Sequence, residues 1–477
     1  MSPRRRQTPA RPRPAPKPRR RAAPRPAPPA PAPDATPLGA AGRLLAIDPA
    51  PRRPPLRLPP LPQGPQLAPE QRRRLEDILA RGPRGRLDGL IDSPDAAALV
   101  PAIPADDFAA MLLDVGLGDG DALLGLAADP QLVHLVDVTA WTAHELDLAS
   151  AVETLDVLRS SDPDLPLRWL GAADDSAVLA LFGRLCVVTS DDVPSPGKLD
   201  ELDLGEPFSL DGSFLVWPRD ADREGFLRWF LTSLFEAHQD TYFWICQSLQ
   251  WAMESEVEED AFVRRQARLI EQGFPRPEEG SEIFRPAPTE RMAAERLAVP
   301  PDRTASPEAE DGAITVAPSD LPASGLFAAR CIERLSPAAQ TDLRAALARL
   351  GRIVLAGESL HPGKHEDRAA ALRLALRTVS IALEHLSGGD PDLGAHLCLA
   401  RTAVDLFQVG HTVVLALNRQ ARTLRQSGWL HRVPDGIRLL EPSQRQVYEA
   451  SRLPRPRRFT GIDEDGNPRL EPFRSLY

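Results

Sequence analysis

The sequence predicts a mainly α-helical protein. It has a helical array carrying a small β-hairpin, a second helical unit beyond a linker, and a disordered N-terminal tail. Three observations predict this. After residue 66, apolar residues recur at three- and four-residue spacing, in short runs punctuated by acid, proline or glycine. Strand-like character is confined to one stretch, near residues 185–217. Of the 51 prolines, 21 lie in the first 65 residues, where no apolar period exists from which to build a core.

Residues 1–65 hold mostly Pro, Arg and Ala and no aromatic residue. Such a segment cannot bury enough apolar area to offset chain entropy, so it is expected to be extended and polyproline-like. Leu44, Leu45 and Ile47 form a small apolar island expected to dock weakly on the body. Charge is lopsided as well. Residues 1–60 carry 14 Lys+Arg against 2 Asp+Glu, and the rest of the chain 43 against 65. A basic arm on an acidic body is drawn to polyanions, or to its own body. The clusters Arg4–Arg6 and Lys17–Arg21 suit weak, salt-sensitive contact with a polyanion through residues 1–60. No aromatics interleave them, so base stacking is not expected. Arg25-x-x-Pro28-x-x-Pro31 fits a polyproline-recognition pattern, which arises easily by chance in this composition. A solubilising, charge-balancing tail is the plainer reading.

Residues 66–297 read as the first helical domain. Pro69 opens a helix carrying Leu75, Ile78 and Leu79, stopped near Gly82 and Pro83. A second begins after Pro104, with Asp106 and Asp107 in its first turn, where acids suit the helix dipole. Short helices then follow at about 121–128, 130–137, 147–160, 163–170 and 174–184. At Leu185–Thr189 the pattern becomes strand-like. Pro207–Trp217 places Asp211-Gly212 between two apolar runs, a strong hairpin signal. Helix returns over 219–272, with Asp240 read as the cap of a helix over 241–253. Ser255–Glu258 reads as a capping box for the next helix, which stops at Gly273.

Residues 298–324 read as a linker, rich in Pro, Ser, Asp, Glu and Ala. The second helical unit spans 325–430. It opens with Ser336-Pro337, a cap followed by a proline at the first helical position. A second stripe, Leu372, Leu376, Val379, Leu383 and Leu386, ends at Gly388-Gly389. Asp390-Pro391 then starts a helical region reaching Gln426. Residues 431–477 read as irregular, broken by Pro434, Pro442, Pro454 and Pro456.

No catalytic, cofactor-binding or metal-binding residue is assigned. Gly116, Gly118 and Gly120 lack the preceding strand and the spacing of a dinucleotide loop, and read as a helix stop. His361 and His365 are a close pair in a Pro-Gly loop, where a shared metal competes with a plain exposed loop. Asp463–Asn467 faintly resembles a calcium loop. Pro468 and Arg474 stand where that loop needs glycine and glutamate, so a turn is the better reading. The acid pairs Asp106–Asp107, Asp174–Asp175, Asp191–Asp192 and Glu258–Glu259 are explained by capping and solvation at helix starts. Eight of the 25 aromatics fall between Phe226 and Trp251. They read as a buried helical-hairpin core rather than a binding surface.

Cys186, Cys246, Cys331 and Cys398 are widely spaced without a CxxC pair, and read as buried reduced thiols. The basic N-terminus has no apolar core behind it, so it is not expected to be a secretory signal. Uncharged stretches reach only about 13 residues against roughly 20 for a membrane span. A cytoplasmic protein without membrane contact is expected.

Several stretches together resemble one family. They are Ile103-Pro-Ala-Asp-Asp-Phe108, Pro207-Phe-Ser-Leu-Asp-Gly-Ser-Phe214 and Arg268-Leu-Ile-Glu-Gln-Gly-Phe-Pro275, followed by Leu406-Phe-Gln-Val-Gly-His411 and Gly461–Gly466 running on to Arg474-Ser-Leu476. In this order they resemble the bacterial family called domain of unknown function 6178, over roughly residues 66–477. These motifs are helix boundaries and turns, so the resemblance implies no activity, cofactor or catalytic residue. The leading expectation is a non-enzymatic helical scaffold or adaptor binding other proteins. Nucleic-acid association through the tail and an enzyme with an unrecognised site are the alternatives.

Overall fold

A computed structural model of the chain describes residues 53–56, 67–142, 145–190, 204–286, 325–426, 432, 436–463 and 466–475. The expectations for residues 1–52 and for the 298–324 linker lie outside these. So does the Asp191–Asp192 pair.

The periodic segments become helices because each has one stripe to bury. In α1 (Pro69–Leu79), Leu75, Ile78 and Leu79 turn inward. It is followed by α2 (Pro83–Ile91), α3 (Ala96–Leu99) and α4 (Ala105–Val115). Gly116 stops α4 with φ of 99°, a conformation open to glycine without steric cost. Residues 117–120 form a single 3-10 turn, so the Gly116–Gly120 run is a helix stop. The array continues with α5 (Asp121–Leu124), α6 (Asp129–Thr139), α7 (Leu148–Ser161), α8 (Asp164–Ala172) and α9 (Asp175–Leu185).

Strand β1 (Cys186–Ser190) pairs antiparallel with β2 (Phe214–Pro218), Val188 opposite Val216. The small sheet lies in the stretch expected for it, near residues 185–217, but the Asp211-Gly212 turn does not itself join its two main strands. The turn exists: Asp211 Oδ1 accepts the amides of Ser213 and Phe214, and Gly212 has φ of 76°. It brings back only a single bridge, Phe208 to Val216. The longer ladder goes to β1, whose apolar run is the better partner.

The aromatic segment forms α10 (Glu224–Ala237) and α11 (Gln239–Trp251), followed by α12 (Glu254–Glu271) and α13 (Pro277–Ser281). Phe226, Phe230, Tyr242 and Trp244 are buried, and Phe230 meets Phe182 edge-on at 5.3 Å. These four are core, as their spacing predicts. Two cap readings need correction. Asp240 lies in the first turn of α11, with His238 at the cap. Ser255 lies inside α12, which starts from Met253 with Glu254 and Glu256 in its first turn. In both, acids near the dipole stand in for a side-chain cap.

Beyond the linker run α14 (Phe327–Ile332), α15 (Pro337–Gly357), α16 (His365–Ser387), α17 (Pro391–Ala400) and α18 (Ala403–Gln426). Ser336 caps α15 and Asp390 caps α17, as read. The region after Pro391 is two helices. Thr402 and Asp405 cap α18 reciprocally, Thr402 Oγ1 accepting the Asp405 amide at 3.1 Å and Asp405 Oδ2 accepting the Thr402 amide at 3.4 Å. The C-terminal segment is more regular than expected. It holds α19 (Pro442–Arg452) and the hairpin β3 (Arg458–Ile462) with β4 (Pro468–Glu471). Asp463 Oδ1 accepts the Asn467 amide at 2.7 Å, and Gly466 has φ of 84°. Asp463 and Asn467 thus meet where β3 and β4 come together.

One apolar core runs from Leu75 to Val409, so helices before and after the linker share it. Residues 51–477 form one compact unit. No single helix among the described residues is long and apolar enough to cross a membrane.

Candidate functional site

The most densely charged buried place is where α4, α6, α12, α15 and α16 meet. Asp106 is almost wholly buried, not solvated as its place at a helix start suggested. It accepts from Arg352 Nη1 at 2.6 Å and from Arg368 Nη2 at 2.9 Å, and faces His134 Nε2 at 3.4 Å. Burial alone would raise its carboxyl pKa. Arg368 and then Arg352, with His134, overcome this and hold it well below the usual carboxylate range. Both guanidinium groups also lie near the Phe274 ring, at 5.9 and 5.7 Å. Phe274 follows Gly273, whose φ of 84° turns the chain there.

A second pair adjoins the first. Arg268 makes a two-pronged bond to buried Asp137, at 2.7 and 2.8 Å, and also reaches Asp174. Arg265 donates to the Asp137 carbonyl at 2.6 Å. Burial draws the Arg265 pKa down to about 10 against the pull of Asp137. The stretches Ile103–Phe108 and Arg268–Pro275, far apart in sequence, thus converge on one centre. Chemically it is a set of ties. A carboxylate held so firmly deprotonated by two guanidinium groups is a poor base near neutral pH.

His361 and His365 do not converge. His361 Nδ1 accepts the Gly363 amide at 3.0 Å, and its own amide donates to Asp367 at 2.9 Å. His365 Nδ1 instead faces Asp114 at 2.8 Å. A Cβ on Gly363 would overlap Val138 O, so the loop seats its glycine on the end of α6. Arg368 Nη1 also holds the Pro362 carbonyl at 3.2 Å. Among the described residues, no group of three His, Cys, Asp or Glu side chains could hold a metal ion.

His411, in the Leu406–His411 stretch, is also buried. It lies edge-on to Phe284 at 5.2 Å and stacks on Phe407 at 6.2 Å. Burial first, then Arg455 and Arg457, push its pKa down to about 4. It borders a space of about 20 Å³ shared with Glu358, Thr378, Arg455 and Arg457, roughly the room for one water. A larger groove of about 550 Å³ lies along α7, lined by Asp121, Glu153, Asp156, Arg159 and Arg223 among others. Neither Asp106 nor His411 borders it, so the perturbed groups and the groove are in different places.

Two surface features remain. Where α11 turns into α12, Trp251 is 74% exposed and Met253 58% exposed. Trp251 is thus the exposed member of an aromatic segment whose other rings are buried or partly buried. Along α12, Val263, Ala267 and Ile270 are exposed at helical spacing, opposite the buried Ala261, Arg265 and Leu269. The other feature is the segment Arg53-Pro54-Pro55-Leu56, which lies against the junction of α8 and α9. Arg53 donates to the carbonyls of Leu170 at 2.5 Å, Ala173 at 2.6 Å and Gly171 at 3.3 Å, and its Nε pairs with Asp175 at 3.2 Å. Its guanidinium lies over the Trp244 ring at 5.8 Å. Sequence reasoning placed this segment in the tail. Its only sequence signal, an arginine before two prolines, recurs in similar form throughout that tail.

No curated protein and no solved structure matches the chain. The model of a family of unknown function (DUF6178) matches residues 65–477. That span holds the buried centre, the His411 site and the exposed α11–α12 corner, and the chain belongs to this family.

Proposed function

We propose that the protein is a non-enzymatic helical scaffold or adaptor that binds other proteins. The observation that carries this reading is the apolar ledge at the α11–α12 corner and along α12. Trp251 and Met253 stand exposed, and Val263, Ala267 and Ile270 give α12 a second apolar stripe facing solvent. A helix normally spends its one apolar stripe on the core. An exposed tryptophan just before α12 and a second apolar stripe further along that helix are features of a binding surface. The buried charged centres support the same reading, since their carboxylates are engaged by arginines. An intracellular site of action fits four buried free cysteines.

The test is an affinity capture from native lysate with the full chain, after nuclease treatment and a high-salt wash. A parallel bait carries Trp251→Ser, Met253→Ser and Ile270→Ser. A discrete protein retained by the first bait and lost from the second is the expected result. Equal retention by both baits removes the ledge from the argument. A parallel capture without nuclease or the high-salt wash that retains nucleic acid alone, released by salt, overturns the reading in favour of polyanion contact through residues 1–60.

A further inference from the structure

The cleft that holds Arg53 is built for a guanidinium. The last carbonyls of a helix have no partner within it and carry the negative end of its dipole. Here the α8 terminus offers Leu170 O, Gly171 O and Ala173 O, and the α9 start adds the Asp175 carboxylate. Only the planar fork of arginine spans so many acceptors at once. A lysine brings three donors from a single point. Trp244 covers one face of the group. The Arg53 side chain is 12% exposed.

The residues after the anchor fit an extended ligand. Pro54 and Pro55 lack amide donors, and their fixed φ lowers the entropy lost on docking. Pro55 faces solvent, and Leu56 packs against the edge of the main core. Among the described residues, every hydrogen bond from 53–56 to the body comes from the Arg53 guanidinium.

The walls do not rest on this segment. Ala173 N donates to Trp169 O at 2.8 Å, Val178 N donates to Asp174 O at 3.1 Å, and Asp174 is tied to Arg268. The receptor side is thus anchored to the buried charged centre, while all polar ties of the ligand side come from one side chain.

We propose that this cleft is a peptide-binding site for an extended, arginine-anchored, proline-flanked segment of a partner protein, with Arg53-Pro54-Pro55-Leu56 as its resident and exchangeable occupant. The site uses residues other than the exposed ledge and goes beyond the adaptor reading by naming a ligand chemistry. Tethering gives the resident a millimolar effective concentration, so a free peptide competes poorly until the resident is removed. The chain repeats the dipeptide at Arg11-Pro12, Arg13-Pro14 and Arg25-Pro26. A second copy is therefore the alternative source that the test must separate.

The probe is a fluorescent peptide with the sequence of residues 50–58, titrated by anisotropy into the full chain. Binding to the Arg53→Ala chain is expected to be about a hundredfold tighter than to the unaltered chain. A probe carrying Arg53→Lys should bind at least about tenfold more weakly. Asp175→Ala, added to the Arg53→Ala chain, should weaken binding several-fold. If Arg53→Ala does not fold, Arg53→Gln, which keeps the side chain's bulk without the guanidinium fork, frees the same cleft. Equal binding to the altered and unaltered chains overturns the proposal, as does indifference between the arginine and lysine probes, which would mean bulk charge attraction. A concentration-dependent dimer of the unaltered chain, abolished by Arg53→Ala, would assign the site to a second copy and overturn the partner assignment. Failure here leaves the adaptor reading intact if lysate capture still depends on the ledge. A bound peptide with no captured protein has the opposite meaning.

Discussion

Two residues carry charges that the fold must neutralise or exclude. Asp106 sits between Arg352 and Arg368, and removing its charge leaves two largely buried guanidinium groups without their carboxylate. Breaking such a group typically costs about 3–5 kcal/mol. Asp106→Asn is expected to lower stability by roughly 3 kcal/mol, read from the urea midpoint. The pH dependence follows from the sign of the shift. The folded pKa is depressed, so the contribution is complete above the ordinary aspartate value of about 3.9. It is lost as pH falls from there through the folded value. Urea melts taken between about pH 5 and pH 2 should fall more steeply for the natural chain than for Asp106→Asn. Parallel slopes would contradict the assignment. His411 is lowered from 6.5 to about 4, so the unfolded chain takes up a proton in that interval and the folded chain does not. Stability therefore drops as pH falls from about 6.5 to about 4, and His411→Gln should flatten that limb. Neither effect was legible beforehand. Asp106 looks like any acid in a first helical turn. Its partners stand 246 and 262 residues further along the chain.

At the scale of the element, close helix crossings depend on glycine. A Cβ on Gly410 would overlap Thr378 O, where α18 crosses α16, and one on Gly357 would overlap Gly280 O, where α15 meets α13. Gly410→Ala should force the two helices apart and cost at least about 1–3 kcal/mol, although alanine is the better helix former. A melting curve for Gly410→Ala equal to that of the natural chain would show that the crossing relaxes freely. Helix boundaries were largely readable, because Pro, Gly and acids act through neighbours in sequence. Ser336-Pro337, Asp390-Pro391 and Gly388 do what their chemistry dictates. Thr402 with Asp405 is a capping pair of the same local kind, and it divides the helical region after Pro391 into two helices. The place of the small sheet near 185–217 was readable too, but its pairing was not. Asp211-Gly212 makes its turn, but which strand pairs along β2 is a competition with β1, more than twenty residues earlier.

On the scale of the whole molecule, the exposed corner separates function from stability. Trp251→Ser should leave the melting midpoint unchanged within about 0.5 kcal/mol, because the ring buries little in the folded chain. A larger loss would place Trp251 in the core after all, and weaken the adaptor reading. The sequence by itself determined the helical class, most helix limits, the helix stop at the Gly116–Gly120 run, and the burial of the cysteines. These depend on periodicity and on capping, which are local. Only the tertiary structure decided that the helices on both sides of the linker share one core. It alone showed that the stretches around Asp106 and Phe274 close on Arg352 and Arg368, and that Arg53 has a carbonyl-lined seat. Each of those joins groups far apart in the chain. Such pairings are selected by desolvation and packing among all the elements at once, and no local spacing records the outcome.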